Sequence, residues 1–136
     1  MIQYVVAYAA TSIAFLAIDF VWLNFAAANI YRPRIGALLM DSPNLTIAGA
    51  FYLLYSGAVV VLAVVPAVNQ SSLLMAIAFG AVLGATAYGT YDITNLATLR
   101  GWSVTVTIVD ILWGIFLTGT AAAIGYLAVD LFARDG

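Results

Sequence analysis

The stretch VTVTIVDILWGIFLTGTAAAIGYLAVDLF, residues 104–132, decides the fold. It is apolar almost without interruption, and at 1.5 Å per residue it is long enough to cross a hydrocarbon core of about 30 Å with some tilt. Three further segments read the same way, Ile2 to Ala28, Leu45 to Val65 and Leu73 to Leu99. None shows the apolar–polar alternation of a barrel strand. The chain is therefore expected to be a single all-α membrane domain over residues 1–136, with four transmembrane helices at about 2–28, 45–65, 73–99 and 104–132 in an up-and-down bundle.

The segments between the helices carry turn-forming residues. Arg32-Pro33-Arg34 and Asp41-Ser42-Pro43-Asn44 bracket the first loop, Pro66 with Asn69-Gln70-Ser71-Ser72 makes the second, and Arg100-Gly101 the third. Ser42 or Asn44 is placed to cap the second helix, and Ser71 or Ser72 the third. The middle of the first loop, Ile35 to Met40, is apolar. It reads as an amphipathic connector lying in the membrane interface, or as a lid folded over the helix ends.

Composition supports the same reading. The 136 residues are 65% hydrophobic and 7% charged, where a soluble domain carries about a quarter charged residues. Four spans leave no room within these residues for an extramembrane domain. All the charge comes from six Asp and four Arg; Lys, Glu, His and Cys do not occur. That excludes thiolate and imidazole chemistry, zinc or haem held by His or Cys, and a lysine Schiff base. No metal-ligand motif, cofactor or catalytic residue is indicated, and nothing points to nucleic acid. The first apolar run has no Lys or Arg before it, is longer than the apolar core of a signal peptide and contains Asp19, so it reads as a retained helix.

Orientation follows from the arginines. Arg32, Arg34 and Arg100 lie on the side reached after helices one and three, and Arg134 alone lies on the side of the termini. Cationic loops stay in the cytoplasm. Both termini are thus expected to be non-cytoplasmic. Small residues mark helix contacts: Gly80-x-x-x-Gly84, extended by Ala76 and Gly89, in helix three, and Gly119, Ala122 and Ala123 in helix four. Packing inside the bundle is the expected use, with a dimer face as the alternative.

Three aspartates, Asp19, Asp92 and Asp110, sit inside apolar helices. Asp92 and Asp110 fall about six residues, roughly 9 Å, from the arginine-bearing end, and Asp19 somewhat deeper. An ionisable group at that depth is costly unless paired or hydrated, so all three should face the bundle interior. Each has a polar or aromatic partner three residues on, which places both on one helix face: Asp19 with Trp22, Asp92 with Asn95, Asp110 with Trp113. The first and third pairs recur on antiparallel helices, a pattern that would suit an inverted repeat. Of the eleven Tyr and Trp residues, Trp22, Tyr31, Tyr52, Tyr55, Tyr88, Tyr91, Trp102 and Trp113 lie toward the arginine-bearing side, against Tyr4, Tyr8 and Tyr126 on the other. Interfacial anchoring alone would load both sides more evenly.

The densest polar stretch runs from Tyr88 to Trp102 and contains Tyr91-Asp92-Ile93-Thr94-Asn95-Leu96-Ala97-Thr98. With Ala17-Ile18-Asp19-Phe20-Val21-Trp22-Leu23 and Asp110-Ile111-Leu112-Trp113-Gly114, it resembles the small bacterial four-helix membrane proteins catalogued as domain of unknown function 2177. The resemblance extends over essentially the whole chain. It implies a multi-pass protein of the bacterial inner membrane whose polar helix residues define the family, and it brings no activity. Where the family carries Gly after the Trp-Leu of helix one, this chain has Asn24.

Three functional readings fit these residues. In the first, Asp19, Asp92 and Asp110 are balanced by Arg32, Arg34 and Arg100 reaching inward along the helix ends, or donate hydrogen bonds when protonated. The cluster then fixes helix register in an accessory or scaffold subunit of a larger membrane complex. In the second, Tyr52, Tyr55, Tyr88, Tyr91, Trp22 and Trp113 wall a cytoplasmic-side pocket in which Asp19, Asp92, Asn95 and Asp110 orient an amphipathic small molecule or lipid. Transport by so few helices would call for a homodimer. In the third, the carboxylates act as acid and base, or hold an oxygen-ligated divalent cation, in a membrane-lipid-modifying enzyme. Membrane lipids are the expected surroundings in each. The orientation is tested by a reporter fused after Gly136, expected to be active only outside the cytoplasm; cytoplasmic activity reverses the side the cluster faces.

Overall fold

A computed structural model describes residues 1–135, with side chains through residue 133. The Arg134 side chain and Gly136, which enter the orientation expectation, lie outside the described residues. Four long helices follow one another up and down: α1 Ile2–Leu38, α2 Leu45–Asn69, α3 Leu73–Thr98 and α4 Val104–Asp135. The chain is an all-helical membrane bundle, as its sequence leads one to expect, and each helix is long and apolar enough to span.

Two helices run past prolines that read as stops. α1 contains a π turn over Ala27–Tyr31 and α2 one over Val60–Val64. In both, a proline follows two positions after the π turn, Pro33 and Pro66. A proline removes a backbone donor and crowds the carbonyl four residues back. A wider turn just before it accommodates both defects without ending the helix. Arg32-Pro33-Arg34 is consequently a helical turn, continued by a 3-10 turn over Gly36–Leu38, and not part of the first loop. Ile35 is buried, whereas Leu38, Leu39 and Met40 are exposed.

The N-termini of α2, α3 and α4 are capped by side chains. Asn44 accepts from the Ile47 N–H and Ser72 from the Met75 N–H, both at 3.1 Å, which decides between the paired candidates. Ser103 does the same for Val106 at the start of α4. Gly101, at φ +77°, supplies the left-handed residue of the turn between α3 and α4.

α4 lies along both α3 and α1. α2 crosses the bundle: Leu45–Val59 packs on α1 and barely approaches α3, whereas Val60–Val64 packs on α3, α1 and α4. Its buried rows step by four residues, Tyr55, Val59, Ala63 and Ala67 beside Ser56, Val60 and Val64. Each such step overshoots one α turn by about 40°, a drift that the wider π turn takes up. Phe15, Val59, Val64 and Leu117 fill the centre of the core.

The α3–α4 contact is made backbone to backbone. A methyl at Gly80 would come within 2.9 Å of Gly119 Cα, one at Gly84 would strike the Gly114 carbonyl, and one at Gly114 would strike the Tyr88 ring. Gly89 takes no part; the space beside it reaches only Ile93 of its own helix. We expect Gly84→Ala to lower stability in detergent by about 3 kcal/mol, the upper range for overpacking, because backbone must move. Gly49→Ala, where nothing lies within 4 Å, should be neutral or gain up to about 1 kcal/mol of helix propensity. Thermal unfolding of the two variants beside the wild type checks both.

Candidate functional site

The two Asp-x-x-Trp motifs of α1 and α4 meet. The Trp22 and Trp113 rings stack with centroids 4.4 Å apart and planes 11° from parallel. One indole N–H addresses the opposite helix directly, and the other reaches it through a tyrosine of its own helix. Trp113 Nε1 donates directly to Asp19 Oδ1 at 3.0 Å. Trp22 Nε1 donates to the Tyr31 hydroxyl at 3.2 Å, and Tyr31 donates in turn to Asp110 Oδ1 at 2.9 Å. The arrangement is an approximate two-fold one, with Tyr31 interposed on one arm.

Tyr31 reaches this network because of the π turn. Nine positions along a regular helix bring a residue half a turn round, so Tyr31 would face away from Trp22. One residue inserted by the π turn shifts everything beyond it by about 100°. Helical side chains also lean toward the N-terminus, which is the direction Tyr31 needs.

The three intramembrane aspartates converge. Asp19 and Asp110 are close enough to feel each other's charge, and Tyr52 offers its hydroxyl toward Asp19. The Asp92 carboxyl sits beside that of Asp110. Asp92 is fully buried, and neither of its oxygens meets a hydrogen-bond donor. Adjacent carboxylates repel, and a proton or a cation between them removes the repulsion.

Beside this cluster lies a cavity of about 460 Å³, within the usual size range of small-molecule sites. Of the residues singled out from sequence, Asp19, Trp22, Tyr52, Tyr55, Tyr88, Tyr91, Asp110 and Trp113 line it. Asp92 and Asn95 do not: Asp92 is buried behind Asp110, and Asn95 stands beside Tyr91. Phe15, Leu23, Tyr31, Phe51 and Ala87 complete the wall. Sequence reasoning did not place these five in the site. For Tyr31, the usable signal was Pro33, which sits just beyond the π turn. Tyr55 is anchored by a 2.9 Å hydrogen bond with Thr118 of α4, and Phe15 meets Tyr52 and Tyr55 edge-on. The cavity lies where α2 parts from α3, between the exposed rings of Phe51 and Tyr91. Trp102 packs edge-on against Tyr91 and donates to Thr107, bracing the α3–α4 turn.

The arginines stand apart from the carboxylates. Arg32, Arg34 and Arg100 are exposed, and Arg34 donates to the Ile30 carbonyl at 3.1 Å. Among the described residues none of the three makes an ion pair with Asp19, Asp92 or Asp110, and no group of acidic side chains is placed to hold a metal ion.

The fold and site define a four-helix integral membrane protein with an aromatic, carboxylate-bearing cavity in one half of the bundle. The chain belongs to the family of predicted membrane proteins designated DUF2177, whose model matches residues 4–127. No curated protein and no solved structure matches it.

Two outcomes are expected. The stacked indoles should give an exciton couplet in near-ultraviolet circular dichroism that vanishes in both Trp22→Phe and Trp113→Phe. Tyr31→Phe leaves Trp22 without an acceptor and Asp110 without a donor, and should cost about 1–3 kcal/mol in unfolding free energy.

Proposed function

We propose that this protein binds an amphipathic small molecule or lipid in the cavity between α1, α2, α3 and α4, from the cytoplasmic half of a bacterial inner membrane. The observation that carries the reading is the cavity itself: about 460 Å³, walled by Tyr and Trp and carrying two carboxylates. Pockets for small molecules combine apolar, aromatic walls with a few convergent polar groups that fix orientation. The parting of α2 from α3 gives a ligand in the membrane a lateral way in, so the polar end could rest at Asp19 and Asp110 while an apolar tail extends into lipid.

Of the scaffold reading's two branches, neutralisation by arginine finds no support, since Arg32, Arg34 and Arg100 lie outside the cluster; hydrogen bonding by protonated carboxyls remains its basis. Of the enzyme reading, the cation-binding form lacks a group of acidic side chains placed to hold a metal ion among the described residues, and the acid–base form has no nucleophile that the sequence singles out. Binding needs only what is present.

Mass spectrometry of protein purified in mild detergent tests this. One small molecule or lipid should be enriched with the wild type and depleted with Ala87→Phe, which fills the cavity, and with Asp110→Asn. Both variants are to be verified as folded by gel filtration. Identical bulk lipid in all three samples, or a co-purifying protein and no ligand, overturns the reading.

A further inference from the structure

The cavity is acidic on one side and has no base. Asp19 and Asp110 line it, Asp92 lies directly behind Asp110, and no Arg is part of its wall. A loaded cavity must satisfy these carboxyls as well as fill space. Their partners inside the protein are few and neutral. Asp19 receives the Trp113 indole N–H, Asp110 receives the Tyr31 hydroxyl, and the Tyr52 hydroxyl is turned toward Asp19. A carboxylate has room for about four hydrogen bonds, so acceptor capacity remains open on both. Asp92, wholly buried, lies outside the cavity against Asp110, with which a shared proton completes it, so the open acceptor capacity that faces the cavity belongs to Asp19 and Asp110.

The other walls favour the same sign of charge. Aromatic faces carry negative electrostatic potential, and Trp attracts a cation most strongly, followed by Tyr and Phe. Trp22, Tyr52, Tyr88 and Trp113 line the cavity beside the carboxylates, the two indoles covering one face of each other. An anionic head group would meet two carboxylates and aromatic faces with no compensating charge. A neutral one would draw nothing from a carboxylate charge or from the aromatic faces, and would bind best where protons already neutralise the carboxyls. A monocation satisfies both kinds of wall at once.

We infer that the ligand head group is a lipophilic monocation of the alkylammonium type, held between the aromatic rings against Asp19 and Asp110, with its tail leaving through the gap between α2 and α3. This rests on the binding reading given above and names the ligand's charge class.

The test uses the full chain in an uncharged maltoside detergent, which offers no competing ammonium, and follows intrinsic Trp fluorescence. The probes share one tail and differ in charge: decyltrimethylammonium, decanol and decanesulfonate. The expected result is saturable binding of the cation, roughly tenfold or more tighter than either other probe, and abolished by Ala87→Phe. Asp19→Asn and Asp110→Asn should each weaken cation binding roughly tenfold, while Asp41→Asn, in the exposed α1–α2 linker, leaves it unchanged. Should either Asn variant fail to fold, the ranking of the three probes on wild type and its loss in Ala87→Phe decide alone. Equal or tighter binding of decanol or decanesulfonate, still lost in Ala87→Phe, overturns the cationic head group and leaves the pocket standing. If no probe binds saturably, or if binding persists in Ala87→Phe, both inferences fall.

Discussion

The approach of α3 to α4 at Gly84 and Gly114, close enough that neither position has room for a methyl group, sets the spacing on which the rest of the site depends. With the backbones this near, Asp92 of α3 is pressed against Asp110 of α4 and sealed from the surroundings. The same missing side chain at Gly114 makes the space into which the Tyr88 ring fits. One packing decision thus places a buried carboxyl pair and an aromatic wall together. In lipid, where no hydrophobic gain separates helix–helix from helix–lipid contact, such close packing is the main source of helix association. The small residues here are used within the chain.

A second constraint comes from proline. Pro33 and Pro66 would break regular helices; each is instead preceded by a π turn. In α1 the inserted residue swings Tyr31 about 100° toward the face of Trp22, within reach of the hydrogen-bonded arm to Asp110. In α2 it keeps two four-residue rows buried through the middle of the membrane. Structural accommodation and site construction are the same event in α1. α-Helices interrupted by π turns frequently carry function at that point, and the interruption in α1 ends on a cavity-lining side chain.

The charge pattern separates the two ends of the bundle from its interior. Arg32, Arg34 and Arg100 are exposed at one end, while Asp19, Asp92 and Asp110 are gathered inside, Asp19 and Asp110 with neutral donors. Buried carboxyls without a counter-charge are costly unless protons or a ligand complete them. The proposals of a binding site and of a cationic head group rest on that cost and on the cavity beside Asp19 and Asp110.

Much of this was legible in the residues. Mean hydropathy and segment length establish four spans; Asp19, Asp92 and Asp110 had to point inward because lipid does not tolerate them; and Asn44 and Ser72 were among the caps foreseen. Eight of the cavity's lining residues could be named, six because aromatic side chains cluster on one side of the sequence pattern and Asp19 and Asp110 because lipid excludes them. Hydropathy and side-chain chemistry are local properties that a linear sequence carries directly. Convergence is not local. Whether Asp92 touches Asp110, whether Trp22 stacks on Trp113, and whether arginine reaches either carboxylate depend on how each helix is rotated about its axis and where it crosses its neighbour. A single inserted residue changes that rotation by about 100°, and a single glycine changes how closely two helices can pack. The sequence by itself determined that the chain lives in a membrane and which residues could not face lipid. The tertiary structure alone decided that Asp19 and Asp110 line one cavity with Asp92 behind them, that Tyr31 belongs to it and that Arg32, Arg34 and Arg100 do not, because only helix rotation and close packing fix which side chains share a space.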